Sequence, residues 1–225
     1  MSTASDAAPK PPVALITGAA HGLGREVAAQ LARRGHQVLI TSRDADVARS
    51  AADELGENVV ALPTLDVADP ASVEAVVEAV TTDPGCLDVL VNNAAAYVDW
   101  TETVSGADLD AAHRALETNL FGAWRLTQAL LPLLRRSPAP RIVNVSSGAG
   151  SYGDPAFGLT ARGGAAASYG ISKAALNALT ATYPGAEAMG ARPVVDSATG
   201  VVWAATLPAD GPTGGFFRDA RPLAW

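Results

Sequence analysis

The segment from Ser168 to Lys173 places a tyrosine and a lysine four residues apart. Lysine is rare in this chain, because sixteen residues are basic and only Lys10 and Lys173 are lysines. At this spacing Tyr169 and Lys173 lie on one face of a helix, one turn apart. An ammonium beside a phenol stabilises the phenolate and lowers a pKa that is about 10 in the free side chain. The pair therefore predicts a proton donor or acceptor that works near neutral pH.

A tyrosine and a lysine at this spacing are also common on ordinary helix surfaces, so their chemistry depends on the elements that surround them. The chain alternates between short apolar runs typical of strands and longer helical patterns. Such strands, separated by helices, indicate a parallel sheet covered on both faces. The predicted fold class is α/β, a doubly wound parallel sheet, in a single domain over residues 13–225. Residues 1–12 are expected to form a disordered polar tail.

The predicted elements follow one another in a regular order. Five strands precede the Tyr/Lys segment, at Val13–Thr17, Gln37–Thr41, Asn58–Leu65, Leu87–Val91 and Arg141–Ser146. Helices are expected at Gly22–Arg34, Asp44–Leu55, Pro70–Thr81, within Ala107–Leu134 and from Ala167 onward. A later helix is expected at Val194–Leu207, and a last strand at Gly214–Arg218.

Composition excludes several classes of protein. A length of 225 residues with 48% hydrophobic residues fits one folded domain and excludes disorder for most of the chain. No apolar run reaches the roughly 18 residues of a membrane span, and the first residues lack a signal-peptide core. The single cysteine, Cys86, suits a reducing compartment, and three scattered histidines do not predict a metal site. A net charge of −7 without a basic cluster argues against a nucleic-acid partner. Taken together, these features predict a cytoplasmic protein.

A glycine-rich turn follows the first predicted strand and opens the first predicted helix. Residues Thr17–Gly24 read TGAAHGLG. Glycines permit a tight turn and let backbone N–H groups approach a pyrophosphate at the N-terminus of a helix. This position favours a dinucleotide-binding loop, with a purely structural turn as the alternative.

The spacing T-G-x-x-x-G-x-G resembles that of the short-chain dehydrogenase/reductase family, in particular its carbonyl reductase-like members. Further motifs occur in the family's order: Asn92–Ala95, Thr118–Gly122, Ile142–Ser147, Tyr169 with Lys173, and Gly211–Asp219. The resemblance runs from about residue 13 to residue 173 and resumes near the C-terminus. It implies a Rossmann-type fold and hydride transfer between a nicotinamide cofactor and a small carbonyl or alcohol.

The resemblance also implies which residues hold the cofactor. These are Gly18, His21, Gly22, Leu23, Gly24, Arg43, Asp66, Asn93, Ala94, Tyr169, Lys173, Pro184 and Gly185. The second strand ends without the acid that binds the ribose 2′-hydroxyl in NAD-selective members, whereas Arg43 offers a planar donor fork for a 2′-phosphate. His21 stands where NADP-binding members often carry a basic residue. NADP(H) is therefore expected over NAD(H), unless Arg43 is only a solvated neighbour of Asp44.

By resemblance, four residues share the catalytic work. Tyr169 donates the proton, and Lys173 lowers the phenol pKa and binds the nicotinamide ribose. Ser147 orients the substrate carbonyl, with Ser146 as the alternative. Asn119 holds a water on a proton path from Lys173, or else is a structural residue of its helix.

Two regions depart in length from compact family members. Ser147 and Tyr169 lie 22 positions apart, and the intervening Gly148–Ala167 resembles the insertion of carbonyl reductase-like members. Within it, Tyr152, Phe157 and Leu159 are candidates for apolar contacts with substrate or for anchoring the loop.

The second departure follows Thr182, where the chain turns at once into Tyr183-Pro184-Gly185. About twenty residues of the family pattern, including the sixth strand, are expected to be missing. Because Pro184, Gly185, Gly190 and Pro193 break regular pairing, no sixth strand is expected between Thr182 and Val194. The last strand is then expected beside the fifth strand or across an open slot, and a homo-oligomer is possible but weakened.

The leading functional hypothesis is an NADPH-dependent carbonyl reductase or alcohol dehydrogenase with a small-molecule substrate and neither membrane nor nucleic-acid partners. The alternative is a non-catalytic or impaired cofactor-binding protein of the same fold. A pure scaffold protein is third, because scaffolding needs neither Ser147 nor Lys173.

Overall fold

Strands and helices alternate along the first 145 residues. The computed structural model describes residues 10–182, 186–189, 194–208, 211–212, 215–218 and 220–222. Strands β1 to β5 are Val13–Ile16, Gln37–Ile40, Val59–Ala61, Val89–Asn92 and Arg141–Val145. Helices α1 to α3 are Gly22–Arg33, Ala45–Leu55 and Pro70–Thr82. Helices α4 (Leu109–Leu116) and α5 (Ala123–Leu134) are joined by a π-helical turn, Glu117–Gly122.

The C-terminal part adds two helices and three strands. Helix α6 is Ala167–Thr182 and α7 is Val194–Ala205, while β6, β7 and β8 are Ala186–Met189, Phe216–Arg218 and Arg221–Pro222. The strands form one sheet in the order β3-β2-β1-β4-β5-β6-β7-β8. Every pairing is parallel except that of β8, which runs antiparallel to β7. The strand order changes direction between β1 and β4: β2 and β3 lie on one side of β1, and β4 and β5 lie on the other. In sheets of this type, ligands bind in the crevice at the carboxyl ends of the two strands where the order changes.

Both faces of the sheet are buried, as expected for a parallel sheet. Alternate residues of β1 divide between two apolar clusters, with Ala14 and Ile16 in one and Val13 and Leu15 in the other. The first cluster lies under α1, α2 and α7, and the second lies under α3 and α5. The doubly wound α/β fold predicted from the sequence is confirmed. Among the described residues, no helix combines the length and apolar character needed to cross a membrane.

The third strand is shorter than predicted. Asn58–Leu65 was the expected range, but β3 covers only Val59–Ala61. The amide of Leu62 still donates to the Ile40 carbonyl at 2.9 Å, and Pro63 then has no amide with which to continue the ladder.

The predicted absence of a sixth strand is wrong. β6 pairs with β5 over four residues, from Ile142 opposite Ala186 to Val145 opposite Met189. β7 pairs with β6, not with β5, so no open slot separates the last strands from the fifth. Glycine and proline flank the four residues of β6 without interrupting them, and the otherwise unpaired edge of β5 supplies partners for their backbone groups. Helix α6 runs to Thr182, directly before this segment.

Replacement of Ala188 by proline tests whether β6 is part of the sheet. Ala188 pairs with Asn144 on one side and Phe216 on the other. Proline removes a ladder hydrogen bond from a strand with neighbours on both sides and leaves its acceptor unpaired, so we expect the free energy of unfolding to fall by about 1–3 kcal/mol. Urea unfolding of the two proteins measures this, and an unchanged midpoint would contradict the pairing.

Candidate active site

The turn between β1 and α1 is built for close approach of a ligand to the backbone. Gly18 and Gly22 have φ of +62° and +57°, in the left-handed region that favours glycine. A Cβ at Gly24 would lie 2.5 Å from Asn93 Nδ2 and 2.7 Å from the Gly18 carbonyl oxygen. Any side chain at this position would therefore push the loop away from the end of β4.

The backbone amides at the N-terminus of α1 are the groups of this turn that could bind an anion. His21 is the N-cap residue, and its side chain makes no capping hydrogen bond. The first amides of the helix therefore keep free N–H groups beside the positive end of the helix dipole. Together with the glycine turn, this arrangement fits the pyrophosphate of a dinucleotide, and His21, Gly22 and Leu23 would lie beside it.

Thr17 and Asn93 join the ends of β1 and β4. The Thr17 hydroxyl accepts from the amides of Asn93 and Ala94 at 3.0 and 2.9 Å. The Asn93 amide group donates to the carbonyls of Thr17 and Gly18 at 2.8 and 3.0 Å. The side chain of Asn93 thus holds the glycine loop in shape, a role that was not expected when it was predicted only to contact the cofactor.

Arg43 and Asp66 come together at the ends of β2 and β3. The Leu65 amide donates to the Ser42 carbonyl at 2.9 Å, which brings together the two segments that carry these predicted cofactor contacts. Arg43 is exposed, and within the described part of the chain it makes no ion pair. Asp44 does not neutralise it by a salt bridge, because its Oδ1 caps α2 by accepting from Asp46 and Val47 amides at 2.9 and 3.1 Å. Arg43 is therefore available to an anion.

Tyr169 and Lys173 are both buried on α6, with 6% and 2% of their surfaces exposed. Lys173 Nζ donates to the Val145 carbonyl at 2.8 Å and lies 5.7 Å from the centre of the Tyr169 ring. Burial lowers the Lys173 pKa to about 8. The Tyr169 pKa is raised to about 12, mainly by burial and to a lesser extent by Tyr97, whereas a hydrogen bond with the Ser147 hydroxyl acts to lower it.

The expected shift of the Tyr169 pKa towards neutral values is therefore wrong for this arrangement. The loss of water around the buried phenol is the largest cause of the raised pKa, and the Lys173 ammonium is directed at the Val145 carbonyl at the end of β5. Near neutral pH the phenol is protonated, which is the form that donates a proton.

Ser147 and Ser146 have different partners, and this separates the two alternatives. The Ser146 hydroxyl is buried and donates to Asn177 Oδ1 at 2.5 Å. Ser147 contacts Tyr169 and accepts from the Ala149 amide at 3.2 Å. Asn177 Nδ2 also donates to the Gly150 carbonyl at 3.2 Å, so it holds the chain on both sides of Ser147. Ser147 is the serine beside the phenol, and Asn177, which sequence reasoning missed, positions it.

Asn119 lies inside the π-helical turn and is 1% exposed. Its Oδ1 accepts from the Ala96 amide at 2.7 Å, and its Nδ2 donates to the Ala96 carbonyl and the Ser172 hydroxyl, both at 2.9 Å. These bonds fasten the loop after β4 to α6. The predicted water on a path from Lys173 remains a prediction, and the side-chain amide already has three protein partners.

Two aromatic residues of the loop after β4 surround Tyr169 and were not singled out from the sequence. The Tyr97 ring stacks on Tyr169 with centres 5.6 Å apart, and Trp100 meets it edge-on at 5.2 Å. The only available signal was two aromatic residues soon after the Asn92–Ala95 motif in a chain with 5% aromatic residues.

The insertion between Ser147 and Tyr169 packs against α6. A Cβ at Gly150 would lie 2.6 Å from the backbone carbon of Lys173, and one at Gly170 would lie 2.9 Å from Leu159 Cδ2. Leu159 therefore anchors the loop, whereas Tyr152 and Phe157 are 71% and 54% exposed. Pro184 and Gly185, the remaining predicted cofactor contacts, lie outside the described residues. The described residues include no cluster of three or more histidine, cysteine or acidic side chains able to hold a metal ion.

Comparison with known proteins agrees with this geometry. The family model described as short chain dehydrogenase matches residues 12–189. The chain therefore belongs to the short-chain dehydrogenase family.

Individual relatives lie within the same family. The (+)-neomenthol dehydrogenase of Arabidopsis thaliana is 35% identical over 163 residues, which cover 62% of this chain and 55% of the relative. The 3-oxoacyl-(acyl-carrier-protein) reductase of Escherichia coli K12 is 34% identical over 164 residues, covering 73% of this chain and 62% of the relative. The chain thus spans little more than half the length of several relatives that it matches. A solved menthone neomenthol reductase from Mentha piperita has 30% identity and a TM-score of 0.78, covering 94% of this chain and 99% of that one.

The burial of Lys173 predicts a distinctive dependence of stability on pH. Its pKa is about 8 in the folded protein and 10.5 in the unfolded chain, so between these values the unfolded chain binds more protons. The free energy of unfolding should therefore rise with pH across this window, and the full penalty of burying the charge remains below pH 8. From pH 7 to pH 10, urea unfolding should show the unmodified protein gaining about 2–3 kcal/mol relative to Lys173→Met.

The other lysine provides a matched control. Lys10 is exposed, so Lys10→Met should follow the unmodified protein at every pH. Parallel curves for the unmodified protein and Lys173→Met would show that Lys173 is not buried as a charge.

Proposed function

We propose that this member of the short-chain dehydrogenase family reduces a small carbonyl compound, or oxidises the corresponding alcohol, with Tyr169 as the acid or base. The observation that carries the proposal is the contact of the Ser147 hydroxyl with the buried Tyr169 phenol, one helical turn from the buried Lys173 ammonium. Burying a hydroxyl, a phenol and an ammonium group together costs free energy. A role in proton transfer would explain why the chain keeps all three groups at this place.

The residues would act in the following way during reduction. The substrate oxygen would accept hydrogen bonds from the Ser147 hydroxyl and the Tyr169 phenol. The bound nicotinamide would supply hydride to the carbonyl carbon. As charge develops on the oxygen, Tyr169 would transfer its proton, and the nearby Lys173 ammonium would stabilise the phenolate until a proton returns. In alcohol oxidation Tyr169 would accept the proton instead.

The cofactor proposal rests on three features of the chain. The open N-terminus of α1 and the glycine turn fit a pyrophosphate, with Gly24 held against Asn93. Asp66 would meet the adenine, and Arg43, which makes no ion pair with any described residue, would meet a 2′-phosphate. NADP(H) is therefore proposed over NAD(H), because no acidic side chain that could bind a 2′-hydroxyl precedes Arg43 at the end of β2.

The alternative, a non-catalytic or impaired cofactor-binding protein, has lost its main support. It depended on the absence of a strand between α6 and the last strand, and β6 occupies that place. We further propose that residues 13–225 act as one domain in the cytosol, in keeping with the single free cysteine, Cys86. Sedimentation velocity would test the weakened homo-oligomer that the sequence left open.

Removal of the phenol hydroxyl tests the mechanism. Tyr169→Phe should lower kcat for ketone reduction by about 10²-fold or more, because only the proton donor is lost. Cofactor affinity, measured by nicotinamide fluorescence, should change less than threefold. Tyr152→Phe, the same change at an exposed tyrosine, should leave both quantities unaltered. Retention of most turnover by Tyr169→Phe would remove Tyr169 from the mechanism.

Removal of the Arg43 guanidinium tests the cofactor preference. We expect NADPH to bind more tightly than NADH, and Arg43→Ala to reduce that preference by about 1–3 kcal/mol, the range for a hydrogen bond to a charged group. Arg49→Ala is a matched control, because Arg49 is exposed on α2 and already paired with Asp46. Equal affinity of the unmodified protein for both cofactors would refute the assignment.

A further inference from the structure

Two aromatic side chains beside the proposed acid are largely open to solvent. Tyr97 is 66% exposed and Trp100 55% exposed, although both rings contact the buried Tyr169. The two rings also contact each other, with centres 5.9 Å apart. Together they form a continuous apolar surface, which we term the aromatic roof, next to the reacting hydroxyl. Exposed aromatic surface of this kind is a feature of ligand-binding clefts.

The loop that carries the roof is fastened at both ends. At its start, the Ala96 amide and carbonyl both bond to the Asn119 side chain. At its end, Glu102 Oε1 accepts from the Ser168 amide at 2.8 Å, at the N-terminal end of α6, where a negative charge is favourable. Between them, Asp99 Oδ1 accepts from the Thr101 amide and hydroxyl at 2.8 and 2.7 Å. The loop that carries the two rings is therefore already ordered in the free protein, and a ligand need not supply the free energy to order it.

The charges of the loop restrict what can lie on the roof. Between Ala96 and Thr103 the loop carries two carboxylates, Asp99 and Glu102, and no basic residue. A ligand with a carboxylate or phosphate close to its carbonyl would be repelled, whereas a neutral ring would stack on the exposed faces.

We propose that Tyr97 and Trp100 form a subsite for the body of a neutral cyclic or aromatic ketone, whose carbonyl oxygen then reaches the Tyr169 hydroxyl. This substrate class rests on the proposed function. Small acyclic ketones reach the same hydroxyl without using the roof, so the roof determines specificity and not the chemistry itself.

The test compares Trp100→Ala with a matched control, Trp124→Ala, which removes a partly exposed tryptophan from α5. For a bicyclic aryl ketone such as tetralone, kcat/KM should fall about tenfold or more in Trp100→Ala, because the apolar contact of one ring is lost. Because loss of the ring also uncovers Tyr169, butanone serves as the reference: the ratio of kcat/KM for tetralone to that for butanone should fall about tenfold in Trp100→Ala and change less than twofold in Trp124→Ala. Tyr97→Ala should behave like Trp100→Ala, and Tyr97→Phe should retain the activity, because the ring is kept. Equal losses for both ketones, or none, would overturn the subsite.

A binding measurement separates this inference from the proposed function. Calorimetric titration of tetralone into protein saturated with NADP⁺ reports the subsite without turnover. Binding by the unmodified protein that is weakened about tenfold in Trp100→Ala, with no reduction of any ketone, would support the subsite and refute the proposed function. Failure of the unmodified protein to bind tetralone while it reduces butanone would refute the subsite alone.

Discussion

The burial of the Lys173 ammonium is the constraint on which the site depends. Among the described residues it has no carboxylate partner, and its ammonium donates a hydrogen bond to the Val145 carbonyl. Burying a charge with so little compensation costs stability, so other contacts must hold α6 against the end of β5. The close approach has a steric requirement as well, because a Cβ at Gly150 would clash with the Lys173 backbone.

Three consecutive residues, the last two of β5 and the one that follows it, hold α6 against the sheet by hydrogen bonds. Asn144 Nδ2 donates to the Thr180 hydroxyl at 3.0 Å, Val145 accepts from Lys173, and Ser146 donates to Asn177. These bonds fix the position of the end of β5 along α6. Ser147, the next residue, therefore lies within hydrogen-bonding distance of the Tyr169 hydroxyl. The same bonds that hold the helix to the sheet determine the geometry of the acid and its neighbouring serine. A buried network of this kind specifies one arrangement only when its members are paired.

The parts of this arrangement that sequence alone predicted are those encoded by local spacing. The glycine turn, the pairing of Tyr169 with Lys173 and the parallel sheet each follow from residues close together in the chain. β6 was missed because its stability comes from the free edge of β5, more than forty residues earlier, and not from its own composition. The raised Tyr169 pKa was missed because it depends on how completely the phenol is covered, and the coverage by Tyr97 and Trp100 comes from a different loop. Asn177 was missed for the same reason, since its role exists only once α6 lies on β5.

The central claim is that the Ser147, Tyr169 and Lys173 group completes a hydride transfer by giving a proton to a ketone oxygen. Incubation of the protein with NADPH deuterated at the transferable C4 position and an aryl ketone, followed by mass spectrometry of the alcohol, tests it most directly. The account predicts an alcohol that carries deuterium on its carbinol carbon, formed by the unmodified protein and almost absent with Tyr169→Phe. Tight binding of NADPH without any deuterated alcohol, across both cyclic and acyclic ketones, would contradict it.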